Sequence, residues 1–410
     1  MAQPPSGRVT VGNLLLAGLT IFLVLWVPLA GVTRRIISHH FSVDLVAPLL
    51  DPSLAGPAEK REALARIIAS PAYKTHAPSR GIVFVKTHKT GGSTVTSVLH
   101  ALATAHKLRC AIPPTLENDL RQDKQRDFVR NEIQTSDPTH YGSPFDVWAD
   151  HVVFDRVLID EAVPSAEGKV LTITRDPAER MHSWCLFLGC CPADLTNTSV
   201  FASFILGANG TRLLNSRHGL CRREQTTFQL VGSGLESNQT QIQGFFSVIR
   251  KIASGQWLAL VTERFDESML VLQHEYGLHP LDITYVKMKV NRPPVPPDDP
   301  ELLEAAEKLV RRTNFHDQQI HNHANLSLET KLRALYGVRG NKREVALEKF
   351  RKLNSIVHEA CLWDEEKDSE VGKWCAEKAM DDTVWLRHHR KSSLQRLNET
   401  LADLRQLPEE

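Results

Sequence analysis

Zinc-ligand pairs are missing from this chain of 410 residues: its seven cysteines include no CxxC, and the adjacent Cys190 and Cys191 are awkwardly spaced for one tetrahedral ion. Structural disulfides are the expected use of these cysteines, and an odd number leaves at least one thiol without an internal partner. Cys361 and Cys375 stand apart from the rest and are placed to close a local loop, whereas Cys185, Cys190, Cys191 and Cys221 form a separate cluster. An excess of charge of either sign is also lacking, since 49 Lys and Arg face 48 Asp and Glu for a formal net charge of +1. No global field therefore draws the chain to nucleic acid, and any anion it binds must be gripped locally. Internal repeats are absent. With 42% hydrophobic residues the composition is that of a globular protein able to bury one large core or two modest ones.

What the sequence does contain begins with an apolar run. No charged residue occurs from Leu14 to Val32, and a helix of that length reaches about 30 Å, the thickness of a bilayer core. Residues 14–33 are read as a transmembrane signal-anchor behind a cytoplasmic tail of residues 1–13. A cleaved signal peptide is the alternative, but Pro28 fits poorly ahead of a cut after Ala30, and the run is longer than a usual signal core. Arg8 before the span and Arg34 and Arg35 after it give a weak and opposing orientation signal. Five sequons, at Asn197, Asn209, Asn238, Asn325 and Asn398, all lie beyond the span and place the bulk of the chain in the secretory lumen as N-glycan acceptors. The expected layout is a single-pass type II protein.

Residues 34–79 mix proline, alanine and charge, with a short helical pattern at Glu59 to Ile68, and read as a lumenal stem. Short β-branched runs follow at Ile82 to Val85, Val152 to Phe154, Val170 to Thr174, Leu258 to Thr262 and Ile283 to Lys287, separated by helical or irregular segments. That alternation predicts an α/β fold, a parallel sheet flanked by helices, over residues 80–400. Cys190 to about Gln256 reads as an elaborated surface insertion, and the charged stretches after Glu301 read as helices covering the core.

Two stretches carry chemistry. In "GIVFVKTHKTGGSTVTSVLHALATAH" a buried strand runs through a glycine loop into a helix whose apolar face is Val95, Val98, Leu99 and Leu102. Gly91 and Gly92 let the backbone approach an anion, and the helix start stabilises negative charge. Lys89 adds a mobile cation, and Thr90, Ser93 and Thr94 add amides and hydroxyls. A nucleotide triphosphatase loop would carry its lysine after the last glycine; Lys89 precedes both. In "VLTITRDPAERMHSW" Arg175 lies at the carboxyl end of a strand, Pro177 opens a helix, and Ser183 follows eight positions after the arginine. Arg175 suits bidentate phosphate binding, or alternatively pairs with Asp176 or Glu179 as a structural residue.

"THKTGGST" and the Arg-x-Pro motif with its later serine resemble the two binding elements of sulfotransferases that use 3′-phosphoadenosine 5′-phosphosulfate (PAPS), the first gripping the 5′-phosphosulfate and the second the 3′-phosphate. A third stretch, "LALVTERFDESMLVLQHEYGLHPLDITYVKMKVNR", resembles the galactose-3-O-sulfotransferase family, which includes galactosylceramide sulfotransferase. The likeness covers roughly Gly81 to Arg292 and departs at Gly92, where that family more often has serine, at the "RDPAER" helix start, and through the cysteine-bearing insertion. It implies the sulfotransferase fold, PAPS as cofactor, a Golgi membrane location and a galactose-bearing glycolipid or glycan as acceptor. Within the signature, Asp266 reads as the N-cap of a helix ending before Gly277.

Sulfuryl transfer proceeds like phosphoryl transfer, by in-line displacement with charge gathering on the leaving oxygen. Lys89 is the expected partner of that charge, the amides of Thr90, Gly91, Gly92, Ser93 and Thr94 with Arg175 and Ser183 the cofactor grip, and His151 in "ADHVVFD" the general base, raised above a structural histidine by the resemblance. His88 is the reserve base. No metal is required, because cationic side chains and helix ends supply the electrostatics. Two other readings stay open: a lumenal kinase-like phosphotransferase, opposed by the displaced lysine, and an inactive glycan-binding relative.

Overall fold

The computed structural model describes residues 45–54, 56–76, 78–79, 81–111, 144–149, 151–188, 198–214, 224–231, 238–286, 299–362 and 369–380. The expected signal-anchor at 14–33, the sequons at Asn197 and Asn398, and Cys190, Cys191 and Cys221 lie outside those residues. Among the described residues no helix is long and apolar enough to cross a membrane.

Four-residue helical turns at Ala47–Leu50 and Pro71–Lys74 flank α1 (Pro57–Ala69). The chain then runs through β1 (Ile82–Val85), α2 (Gly92–Ala105), β2 (Val147–Trp148), α3 (Arg156–Ala162), β3 (Val170–Thr174) and α4 (Pro177–Leu188). Next come α5 (Thr198–Leu206), α6 (Ala208–Leu214), α7 (Gln225–Val231), α8 (Asn238–Ala253), β4 (Trp257–Val261) and α9 (Phe265–Tyr276). The last helices are α10 (Pro300–Thr313), α11 (Phe315–Tyr336), α12 (Lys342–Leu362) and α13 (Glu370–Ala379).

All pairings are parallel, in the order β2-β1-β3-β4. Every residue of β1, β3 and β4 is buried, which is why these strands read as unbroken apolar runs rather than alternating ones: helices cover both faces. From β1 the chain passes to β2 on one side and then returns to β3 on the other. The crevice outside the carboxyl ends of β1 and β3 is therefore a topological switch point, the place where open α/β sheets leave room for a ligand. Phe84 pairs with Leu171 and Val85 with Thr172, so the segments after Val85 and after Thr174 leave the same edge side by side.

Several expectations are corrected here. Val152 to Phe154 is not a strand; the edge strand is Val147–Trp148, and the later segment is irregular, with the Phe154 amide donating to Gln229 O on α7 at 2.8 Å. Ile283 to Tyr285 is also irregular, held by side chains instead of a ladder: the Tyr285 amide donates to Asn354 Oδ1 at 2.8 Å. The N-cap of α9 is Arg264, not Asp266; Asp266 sits in the first turn and accepts from Tyr285 Oη and Arg351 Nε, whereas Gly277 ends the helix in the left-handed region as expected. From residue 45 onward the segment expected to be a stem packs into the main core through Val46, Leu49, Leu64, Ile67 and Tyr73. The insertion is likewise no surface appendage: Phe201, Ala202 and Ile205 of α5 pack with Ala178, Met181 and Cys185 of α4 and Val310 of α10 in a second apolar cluster. Full burial of one such aromatic contributes about 2–3 kcal/mol, so this cluster fixes the helix that carries Ser183.

Cys361 and Cys375 form the expected local disulfide, tying α12 to α13. Cys185 is also disulfide-bonded.

Candidate functional site

The loop between β1 and α2 is shaped by its own threonines. Thr87 Oγ1 donates to Ile173 O of β3, Thr90 Oγ1 lies 2.9 Å from Thr87 Oγ1, and the result is a tight turn with Lys89 and Gly91 both at positive φ, 59° and 78°. Glycine adopts that geometry freely, whereas for lysine the left-handed region costs about 1–2 kcal/mol. Strain of this kind at a cation beside a helix N-terminus is held by the surrounding bonds. Gly92 is required for a different reason: a Cβ there would stand 2.8 Å from Lys86 Cγ, because the buried stem of Lys86 runs across it. The usual serine of the resembling family is incompatible with Lys86 in this pose. The Thr94 amide donates to Gly91 O at 3.1 Å and is turned into the helix, unlike the outward amide expected of it.

Arg175 follows β3, and Asp176 caps α4 by accepting from the amides of Ala178 and Glu179 at 2.9 and 3.3 Å. Asp176 is itself held by Arg311 at 2.9 Å. Arg175 Nη2 pairs with Glu179 Oε2 at 2.9 Å, the structural partner foreseen as one alternative. Residues 179, 183 and 187 recur at intervals of four and so lie along one side of α4, and Arg175, just ahead of the helix, reaches that side through its pair with Glu179. Lys89 Nζ lies 3.8 Å from the ring centroid of Phe187 on that stripe. One helical turn, about 5.4 Å, separates Ser183 from Phe187, so the lysine and the arginine approach the same face of α4 from opposite ends.

Thr262, the first residue beyond β4, ties the two elements together. Its Oγ1 lies within hydrogen-bond distance of Thr90 O and of Thr174 O, the latter at 2.9 Å. The glycine loop and the Arg175 segment are thereby joined at adjacent strand ends and open to one edge of the sheet.

His151 stands three residues beyond β2, on that same carboxyl edge. Its Nδ1–H donates to Lys86 O at 3.0 Å, which sets the tautomer and puts the ring lone pair on Nε2. The His88 ring stacks on it with centroids 4.1 Å apart, and Trp184 of α4 closes the other side of His88 at 5.3 Å. Both histidines considered as bases thus sit in one aromatic pile between the glycine loop and α4. Sequence reasoning missed Thr262, Gln229, Trp184 and Phe187; only Thr262 carried a local signal, as the polar residue ending the apolar run "LALV".

Two cations, a set of hydroxyls and the positive end of α2 along one sheet edge form a donor set that fits a ligand charged at two points. Among the described residues no group of three or more His, Cys, Asp or Glu is arranged to hold a metal ion.

A sequence profile of the galactose-3-O-sulfotransferase family matches residues 14–378. The chain belongs to that family. Human galactosylceramide sulfotransferase is 27% identical over 330 residues, covering 79% of this chain and 73% of the relative. Human galactose-3-O-sulfotransferase 3 is 27% identical over 212 residues, 50% of this chain and 47% of the relative. Pig galactose-3-O-sulfotransferase 2 is 24% identical over 311 residues, 75% and 70% respectively. No solved structure matches. A parallel four-stranded sheet flanked by helices accords with the sulfotransferase fold, and family membership makes the chain a sulfotransferase relative acting on galactose.

Proposed function

We propose that the protein transfers a sulfuryl group from 3′-phosphoadenosine 5′-phosphosulfate to a galactose hydroxyl, the 3-OH, of a glycolipid or glycan. It does so from the Golgi membrane, anchored by residues 14–33 with the folded unit in the lumen. The observation that carries the reading is the Thr262 bridge, which sets Lys89 and the helix start beside the Arg175 segment. Arg175, released from Glu179, and Ser183 would hold the 3′-phosphate; the glycine loop and Lys89 would hold the 5′ end.

The donor supplies an activated sulfuryl group, whose transfer shifts negative charge to the bridging phosphate oxygen. Lys89 would meet that charge from its left-handed turn, where its ammonium rests over the Phe187 ring of α4. His151, with Nδ1–H donated to Lys86 O, turns Nε2 into the acceptor end of the ring, the atom that would take the acceptor hydroxyl proton. The His88 ring, backed by Trp184, covers one face of that imidazole.

Radiolabelled sulfate from the phosphosulfate donor should appear on galactose-terminated acceptors, and Lys89→Ala should abolish the transfer while the melting temperature holds. Label carried over from ATP instead would overturn the reading in favour of a kinase.

A further inference from the structure

The side chain that governs this site most closely comes from the insertion. Gln229, on α7, is buried and reaches the turn just before Lys89. Its Oε1 accepts the His88 amide at 3.0 Å and its Nε2 donates to Lys86 O at 3.2 Å. The amide orientation is unambiguous, since exchanging O and N would set donor against donor at His88 and acceptor against acceptor at Lys86. Lys86 O has two lone pairs, and the second takes Nδ1–H of His151. One carbonyl therefore joins Gln229 to the imidazole.

Helix α7 is itself anchored. Asp317 of α11 accepts the amides of Thr226 and Thr227 and the Thr227 hydroxyl at 3.2, 2.7 and 2.7 Å, and pairs with the buried Arg180 of α4 at 3.0 Å. Gln229 O in turn accepts the Phe154 amide, three residues beyond His151.

We propose that Gln229 is a positioning residue: by holding Lys86 O and the His88 amide it fixes the His151 ring. The proposal rests on the reading of His151 as general base. Gln229→Met keeps the length and loses both bonds; it should lower kcat about 10–100-fold with a much smaller change in KM. In a His151→Ala background the same change should have less than about a threefold further effect.

Gln229→Glu gives a second readout that a purely structural residue would not move. Its carboxyl can donate to Lys86 O only while protonated, so the ratio of variant to parent kcat, measured well below the melting temperature, should fall about tenfold or more between pH 5.5 and 7.5, while the melting temperature of the variant itself declines over that range as the buried carboxyl ionises. Should Gln229→Met fail to fold, this profile decides alone. A parent-like Gln229→Met, a full multiplicative loss in the double variant, or a flat pH ratio overturns the proposal while leaving His151 as base. A fully active His151→Ala removes the base reading first, and the proposal with it.

Discussion

Replacing Glu179 by glutamine should tighten binding of the cofactor product, adenosine 3′,5′-bisphosphate. Glu179 holds Arg175 at 2.9 Å, with the two side chains 49% and 25% exposed. An ion pair so placed is worth about 0–1 kcal/mol to stability, so its loss should barely move the melting temperature. Binding is another matter, because a phosphate seated on Arg175 would lie within a few ångströms of the carboxylate. Unit charges 4 Å apart repel by about 1 kcal/mol in water and about 4 kcal/mol in a surface environment of lower dielectric. For this half-exposed site about 1–2 kcal/mol is reasonable, or roughly 5–30-fold in affinity. Calorimetric titration of Glu179→Gln should show that gain, shrinking as ionic strength rises, and Arg175→Met should show a loss. Unchanged or weaker binding by Glu179→Gln, with Arg175→Met also silent, would refute the assignment of the 3′-phosphate to this helix face.

Thr262→Val keeps shape but strips the hydroxyl from between Thr90 O and Thr174 O; denaturant titration should record a loss of about 1–3 kcal/mol together with weaker product binding. His279 gives an acid-sensitivity prediction: burial holds its pKa down at about 4, and its Nδ1 accepts the Leu281 amide at 3.2 Å, so it must stay neutral in the fold. Because the unfolded chain takes up this proton near pH 6.5, stability present above that pH is lost as pH falls toward 4, by about 3 kcal/mol, and His279→Gln should flatten the slope measured over that window. Asn209 is exposed on α6, whereas the Asn325 amide nitrogen lies in mid-α11 within 3.2 Å of His321 O. Site-resolved mass spectrometry of the protein expressed through the secretory pathway should find glycan on Asn209 and none on Asn325.

Strands β1, β3 and β4 were legible because a parallel strand covered on both faces must be apolar throughout, and the helices after the first two announced themselves by glycine and by Asp-Pro. The edge strand was not, since two residues, Val147 and Trp148, carry no periodicity. Val152 and Phe154 look like a strand because they are buried, yet the Phe154 amide bonds to a helix far along the chain. Arg175, Lys89 and His151 were each visible as local motifs or candidates. What joins them was not: Thr262 acts on Thr90 from 172 residues away and Gln229 on His88 from 141, and nothing in a local window reports such partners. The stem expectation failed because prolines and charges were weighed above the apolar residues scattered among them, which supply Leu64, Ile67 and Tyr73 to the core.

The buried Lys378 donates to the carbonyls of Leu281, Asp282 and Thr284, and three acceptors use all three protons of an ammonium, although burial lowers its pKa to about 7. Two residues further on, Met380 O accepts from Ser97 Oγ at 2.8 Å, on the helix that begins at the glycine loop. The end of α13 thus reaches round to the rear of the helix that starts at the glycine loop. Truncation ahead of residue 370, or mutation of Cys375, should therefore register in catalysis as well as in stability, through slackening of α2 from behind, and tags fused after Met380 extend from a working part of the enzyme rather than from a loose end.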